Sequence, residues 1–148
     1  MSYDTVRIML DEVRSADVFY DTAAGAGVVR LLARRLTTRW PDLRGLNLLG
    51  LGYTTPFLSE WSGQAALTVA AHLETCPDRR PHRHEADCVV SSIHFPFPDL
   101  LFDRILLVHA LETAPSGRAL LRSVWKALLD NGKLLLIFPN LSLIHLSE

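Results

Sequence analysis

Predominantly apolar runs occur at Leu46–Leu49, Ala65–Ala71, Cys88–Ile93, Phe102–Val108 and Lys133–Phe138. Short runs of this kind, bounded by glycine, proline and polar turn residues, predict five buried strands. Between them the apolar residues take helical spacing. Over Ala23–Trp40, Val28, Val29, Leu32, Leu36 and Trp40 share one face while Arg30, Arg34 and Arg35 fall mostly elsewhere, which predicts an amphipathic helix stopped by Pro41. Over Ser116–Leu129, Ser116 is the expected N-cap, and Leu120, Leu121, Val124, Trp125 and Leu128 form the expected buried stripe. Arg118, Arg122 and Lys126 repeat every four residues as a solvated basic stripe, and Asp130-Asn131-Gly132 is expected to end the helix, with glycine free to turn left-handed. A short helix is predicted after Gly52, with Thr55 as N-cap and Pro56 at its first position. Strands that alternate with helices, and are apolar without a break, imply burial on both faces and a parallel α/β sheet.

The chain has 148 residues, enough for one domain with its own core, and 49% of them are apolar. A net charge of −1, with both signs spread along the chain, gives no electrostatic case for nucleic acid or an anionic membrane. The N-terminus mixes charges into its apolar residues and has no signal-peptide core, and no apolar run approaches the ~20 residues that span a bilayer. Cys76 and Cys88 lack CxxC spacing. A reduced, cytoplasmic protein is the expectation.

Candidate chemistry begins at "LNLLGLGYTTPFL", Leu46 to Leu58, where the first strand runs into Gly50 and Gly52. In an open α/β sheet, ligands bind beyond the carboxyl ends of the strands where strand order reverses, and glycines there let backbone N–H groups approach a ligand. A pyrophosphate-binding GxGxxG would need glycine at Thr55, so a dinucleotide is not favoured. The histidines of "HRHEAD", His82 to Asp87, suggest a metal, but Ala86 and Asp87 break the HxHxDH register and a solvated loop is expected.

Three segments together resemble the class I S-adenosylmethionine-dependent methyltransferases, of the small-molecule "type 11" kind. They are "LLGLGY", "FPFPDLLFDRILLVHALE" (Phe95 to Glu112) and "ALLRSVWKALLDNGKLLLIFPN" (Ala119 to Asn140). The resemblance runs from Leu46 to Asn140, with Phe19 to Trp40 as the helix that usually precedes it. It implies a Rossmann-like, mostly parallel sheet with flanking helices, over residues 19–140, with 1–18 an N-terminal extension and 141–148 a short tail. It implies S-adenosylmethionine held by Gly50, Leu51, Gly52, Tyr53 and Thr54, by His72 or Glu74 at the ribose, by Ser92 and Ile93 at the adenine, and by Val108. His109, just after the fourth strand, is the titratable side chain placed to accept a proton from a small-molecule methyl acceptor, should that acceptor need to lose one.

This chain departs from the pattern in four places. Leu48 stands where the family has an acid, Thr54 replaces the third glycine, and Asp130-Asn131 replaces proline-glycine. The tail "LSLIHLSE" leaves no sequence for the usual C-terminal strands, which suggests a truncated reading frame or a reduced domain. An exposed sheet edge then calls for a partner subunit or a second copy. The alternative function is a catalytically silent scaffold or interaction subunit.

Overall fold

The computed structural model describes residues 16–61, 63–74 and 87–138. Helix α1 (Ala16–Tyr20) leads into α2 (Ala23–Arg39), and strand β1 (Asn47–Gly52) is followed by the one-turn helix α3 (Thr55–Leu58) and a 3₁₀ turn at Ser59–Trp61. Strands β2 (Leu67–Leu73), β3 (Asp87–Val90) and β4 (Phe102–Val108) precede α4 (Gly117–Ala127) and β5 (Leu128–Ile137). The five strands form one parallel sheet in the order β3-β2-β1-β4-β5. This is the Rossmann-like arrangement expected from the sequence, and it reverses between β1 and β4.

The two faces of the sheet bury separate cores. Leu49, Leu51, Ala71, Leu73, Ile105 and Leu107 pack with Leu120, Val124 and Ala127 of α4. Leu48, Ala70, Leu106 and Val108 pack with Leu36 and Trp40 at the end of α2 and with Phe57, Leu58 and Trp61. Side chains alternate across a strand, so the fully buried stretches Leu48–Gly52 of β1 and Ile105–Val108 of β4 carry no polar side chain, and each buried leucine stabilises the fold by roughly 1.5–3 kcal/mol. The edge strands β3 and β5 carry more exposed positions. Asn47 ties the lower ends of β1 and β4 together: its amide donates to the Asp103 carboxylate at 2.8 Å, and its side chain to the Leu101 carbonyl at 3.0 Å.

Several boundaries differ from the sequence expectation. The first strand continues through both glycines to Gly52, because β4 offers it partners as far as Val108. The second runs two residues later, to Leu73, and the third ends at Val90 rather than Ile93, where its pairing with β2 stops. The N-cap of α3 is Thr54, not Thr55, and its side chain makes no cap hydrogen bond. Ser116 caps α4 as expected, accepting from the Ala119 amide at 3.2 Å. The helix ends earlier than expected, because Leu128 leaves it to pair with Phe102 and Asp130-Asn131-Gly132 lie inside β5. Between the Phe102↔Leu128 and Arg104↔Lys133 pairs, one residue on β4 faces four on β5, so the extra length bulges there, with Gly132 outside the left-handed region.

The stripe on α4 is narrower than its spacing suggests. Leu120, Val124 and Leu128 are buried, while Leu121 sits at the margin and Trp125 is 72% exposed. Arg118, Arg122 and Lys126 are exposed as expected. The loop bearing His82 and His84, together with Cys76 and the tail from Leu141, lies outside the described residues. Among the described residues, no helix is long and apolar enough to cross a membrane, and no group of His, Cys, Asp or Glu is arranged to hold a metal ion.

The two tryptophans should therefore behave oppositely in urea unfolding. Trp125→Ala should change stability by less than about 0.5 kcal/mol. Trp61→Ala, which empties a buried site and removes the indole donor to the Trp40 carbonyl at 2.9 Å, should cost about 3–5 kcal/mol.

Candidate functional site at the carboxyl ends of the strands

The reversal point lies above Gly52 and Val108, which are aligned neighbours. Gly52 has φ +93, and a Cβ there would stand 2.2 Å from the Val108 carbonyl oxygen. Gly50 is tight in a different way: its φ is not left-handed, but a Cβ would meet the Thr54 hydroxyl at 2.5 Å and the Leu58 side chain at 2.8 Å, so those side chains would have to shift. Gly52 is thus required by the close approach of chain to chain. The amides that follow are committed as well: Tyr53 donates to the Val108 carbonyl at 2.8 Å, and Thr54 to that of Gly52 at 3.0 Å. The amides of Tyr53 and Thr54 therefore serve the turn itself rather than an open anion cradle. Leu51 is buried beneath it, and the Thr54 hydroxyl is buried over Gly50 without a hydrogen-bond partner.

Above this seam sits a group that sequence spacing did not bring together. Thr22 caps α2 by accepting from the Gly25 amide at 3.0 Å, and Gly25 has no room for a Cβ against the Phe19 carbonyl. The tight turn folds α1 back so that Tyr20 stacks on Tyr53, with ring centres 4.7 Å apart and planes 14° apart. The Tyr20 hydroxyl lies 2.7 Å from His109 Nε2, and His109 Nδ1 lies 2.6 Å from Glu112 Oε1. A carboxylate can only accept, so Nδ1 carries the proton toward Glu112, and a neutral ring accepts the tyrosine hydroxyl on Nε2. Burial, with Tyr53 and Glu112 adding smaller effects, pushes the Tyr20 hydroxyl up to about 12, which keeps it a donor. His109 holds φ +53, a left-handed conformation uncommon for a residue with a Cβ, while its amide donates to the Ile137 carbonyl at 2.9 Å. Tyr20 and Glu112 were missed from the sequence. The only available signal for the latter was its place three residues after His109.

The other expected residues lie along the same rim or just below it. The Glu74 amide donates to the Val90 carbonyl at 3.0 Å, so the ends of β2 and β3 are held side by side, and Glu74 itself is exposed. Beyond β3, Ser92 is buried, whereas Ile93 is 66% exposed. The Ser91 hydroxyl accepts the Ile93 amide at 3.3 Å and so shapes that loop. His72 lies within β2 on the Ala70 face, with Nε2 3.5 Å from the Asp87 carboxylate, and so belongs to the β2–β3 pair. Glu74 is the carboxylate at the rim.

Solved structures similar to this one were found at low sequence identity. A chain of the complex between the Haloferax volcanii Trm112 methyltransferase activator and its methyltransferase is 15% identical, with a TM-score of 0.56, over 90% of this chain and 56% of that one. The [4+2]-cyclase SpnF is 20% identical, with a TM-score of 0.58, over 78% of this chain and 47% of that one. A Methanococcus maripaludis protein described as an S-adenosyl-L-methionine-dependent methyltransferase is 14% identical, with a TM-score of 0.54, over 95% of this chain and 66% of that one. The fold is that of class I methyltransferases. This chain spans about half the length of the first two. No protein-family model and no curated protein matches the sequence.

Within this methyltransferase fold, Gly52→Ala should be costly for steric reasons alone, by roughly 2–4 kcal/mol in urea unfolding. The Tyr20 hydroxyl gives a pH signature. The unfolded chain ionises this group near 10 and the folded chain near 12, so its stabilising contribution is complete below pH 10 and is lost as pH rises toward 12. Urea midpoints should fall across that window in the parent, and fall less steeply in Tyr20→Phe.

Proposed function

We propose that the chain binds S-adenosylmethionine at the carboxyl ends of β1, β2 and β4 and serves methyl transfer to a small molecule. One observation carries this reading: the β1–β4 reversal point, the Glu74 carboxylate and the exposed Ile93 side chain all lie on one rim. In this reading Glu74 would take a pair of ribose hydroxyls, to which a carboxylate offers several acceptor sites. Ile93 offers an apolar surface for a flat base, with the Ser92 backbone beside it. Gly50, Leu51 and Gly52 form the floor of this reading, with Tyr53, Thr54 and Val108 framing the turn, and His72 supports the strand that presents Glu74.

The cofactor supplies an electrophilic methyl group, and the protein's part is to place an acceptor in line with it. His109 is the proton acceptor of this reading, with Glu112 fixing its tautomer. Both ring nitrogens are engaged, so an acceptor hydroxyl would take the place of the Tyr20 hydroxyl on Nε2. A partner subunit also belongs to this reading. Among the described residues nothing pairs with the outer edge of β5, where Leu136 and Phe138 are exposed, and one structural neighbour was solved with an activator protein.

Titration calorimetry with S-adenosylhomocysteine tests the binding claim without knowledge of the acceptor. Saturable binding is expected, with affinity reduced on the order of tenfold or more in Glu74→Ala through loss of charge-assisted hydrogen bonds. No binding at millimolar ligand, or an unchanged affinity in the variant, would overturn the assignment of cofactor or of Glu74 respectively.

A further inference from the structure

A second concavity lies beside β5, on the α2 side of the sheet. It has a volume of about 350 Å³ and is lined by Arg39, Trp40, Lys133, Leu134 and Leu135. Arg104 adjoins it through two of those residues: it is the aligned partner of Lys133, and its guanidinium carbon lies 5.9 Å from the centre of the Trp40 ring. Leu106 and Leu135, two residues further along each strand, both face α2, so Arg104 and Lys133 point to that face as well. Like charges directly opposite one another on neighbouring strands repel, and such pairs are normally relieved by an acid between them. Here no acid does so. Among the described residues, Arg39, Arg104 and Lys133 form no ion pair, and the adjacent Asp103 carboxylate is turned to the Asn47 amide.

The guanidinium is under-satisfied in a second way. Its Nη1 donates to the Asp103 carbonyl at 2.8 Å, but its Nε is buried with no hydrogen-bond partner. A buried unpaired donor on a charged group is costly, and the guanidinium lies over the Trp40 ring that lines the cavity. An uncompensated like-charge pair beside a cavity lined by Arg39 and Lys133 has one remedy within the cavity's reach, a multiply charged oxyanion.

We propose that this cavity is a binding site for a phosphate group, free or as a small phosphate monoester, held by Arg39 and Lys133, with the adjoining Arg104 guanidinium adding positive charge. The site lies beside Lys133, Leu134 and Leu135 of β5, below the rim that carries Glu74 and His109, and it stands independently of the cofactor reading. Calorimetric titration with inorganic phosphate and with phenyl phosphate, at constant low ionic strength set by chloride, is the test. Saturable millimolar binding of at least one of them is expected, and the tighter of the two tells whether free phosphate or an ester is preferred. Arg39→Gln with Lys133→Met should weaken it on the order of tenfold or more, as expected for lost charge-assisted hydrogen bonds. Both side chains are exposed, so the double variant should keep its urea midpoint and its S-adenosylhomocysteine affinity. Absence of binding by both phosphates, equal binding by the double variant, or displacement by equimolar chloride would each overturn the proposal. So would preference for an oligonucleotide with a steep salt dependence, which would mark the cations as a nucleic-acid surface.

Discussion

The Val108 carbonyl stands where a Cβ on residue 52 would be, and the upper half of the molecule depends on that contact. It accepts the Tyr53 amide, closes the seam between the two central strands, and forces a glycine with positive φ at the point where strand order reverses. Two residues earlier, Gly50 leaves room for the Thr54 and Leu58 side chains to pack directly on β1. A glycine turn in this position is therefore evidence of tight strand-to-helix packing before it is evidence of a ligand. Its functional content lies in what the packing presents around it.

That presentation comes from the partners of the seam. Because Tyr53 leaves β1 pinned to β4, its ring stands upright for Tyr20 to stack on, and Tyr20 in turn reaches His109, the first residue past β4. Three segments distant in sequence thus converge on one imidazole, whose protonated nitrogen is set by Glu112. The strained backbone of His109 persists because its amide is also held, by β5. Tyr20 is buried and His109 half-buried while Glu112 meets solvent, so the Tyr20–His109 bond is the better shielded of the two. The same fold supports more than one chemistry on related frames, so the identity of the reaction rests on these side chains rather than on the sheet.

Much of the sheet was legible in the residues. β4 falls at Phe102–Val108 as the apolar pattern predicts, because a central strand is buried on both faces and has nowhere to place a polar residue at its upper end. The edges were less legible. β5 starts five residues early because pairing with Phe102 outweighs the helical spacing that Leu128 and Leu129 extend. Trp125 shows the same limit from the other side: helical periodicity gives its angular position, but whether that angle is covered depends on how far the sheet extends beneath α4.

By itself, the sequence determined the α/β class, the order of strands and helices, and the Ser116 cap. Burial and local hydrogen bonding decide those features, and both are written in neighbouring residues. Only the tertiary structure decided why residue 52 must be glycine, that Tyr20 and Glu112 hold His109, and that Arg39, Arg104 and Lys133 gather on the α2 side of the sheet. Each of those is a meeting of side chain with side chain or with backbone across strands and helices. Such meetings are set by register and crossing geometry, which no local pattern encodes.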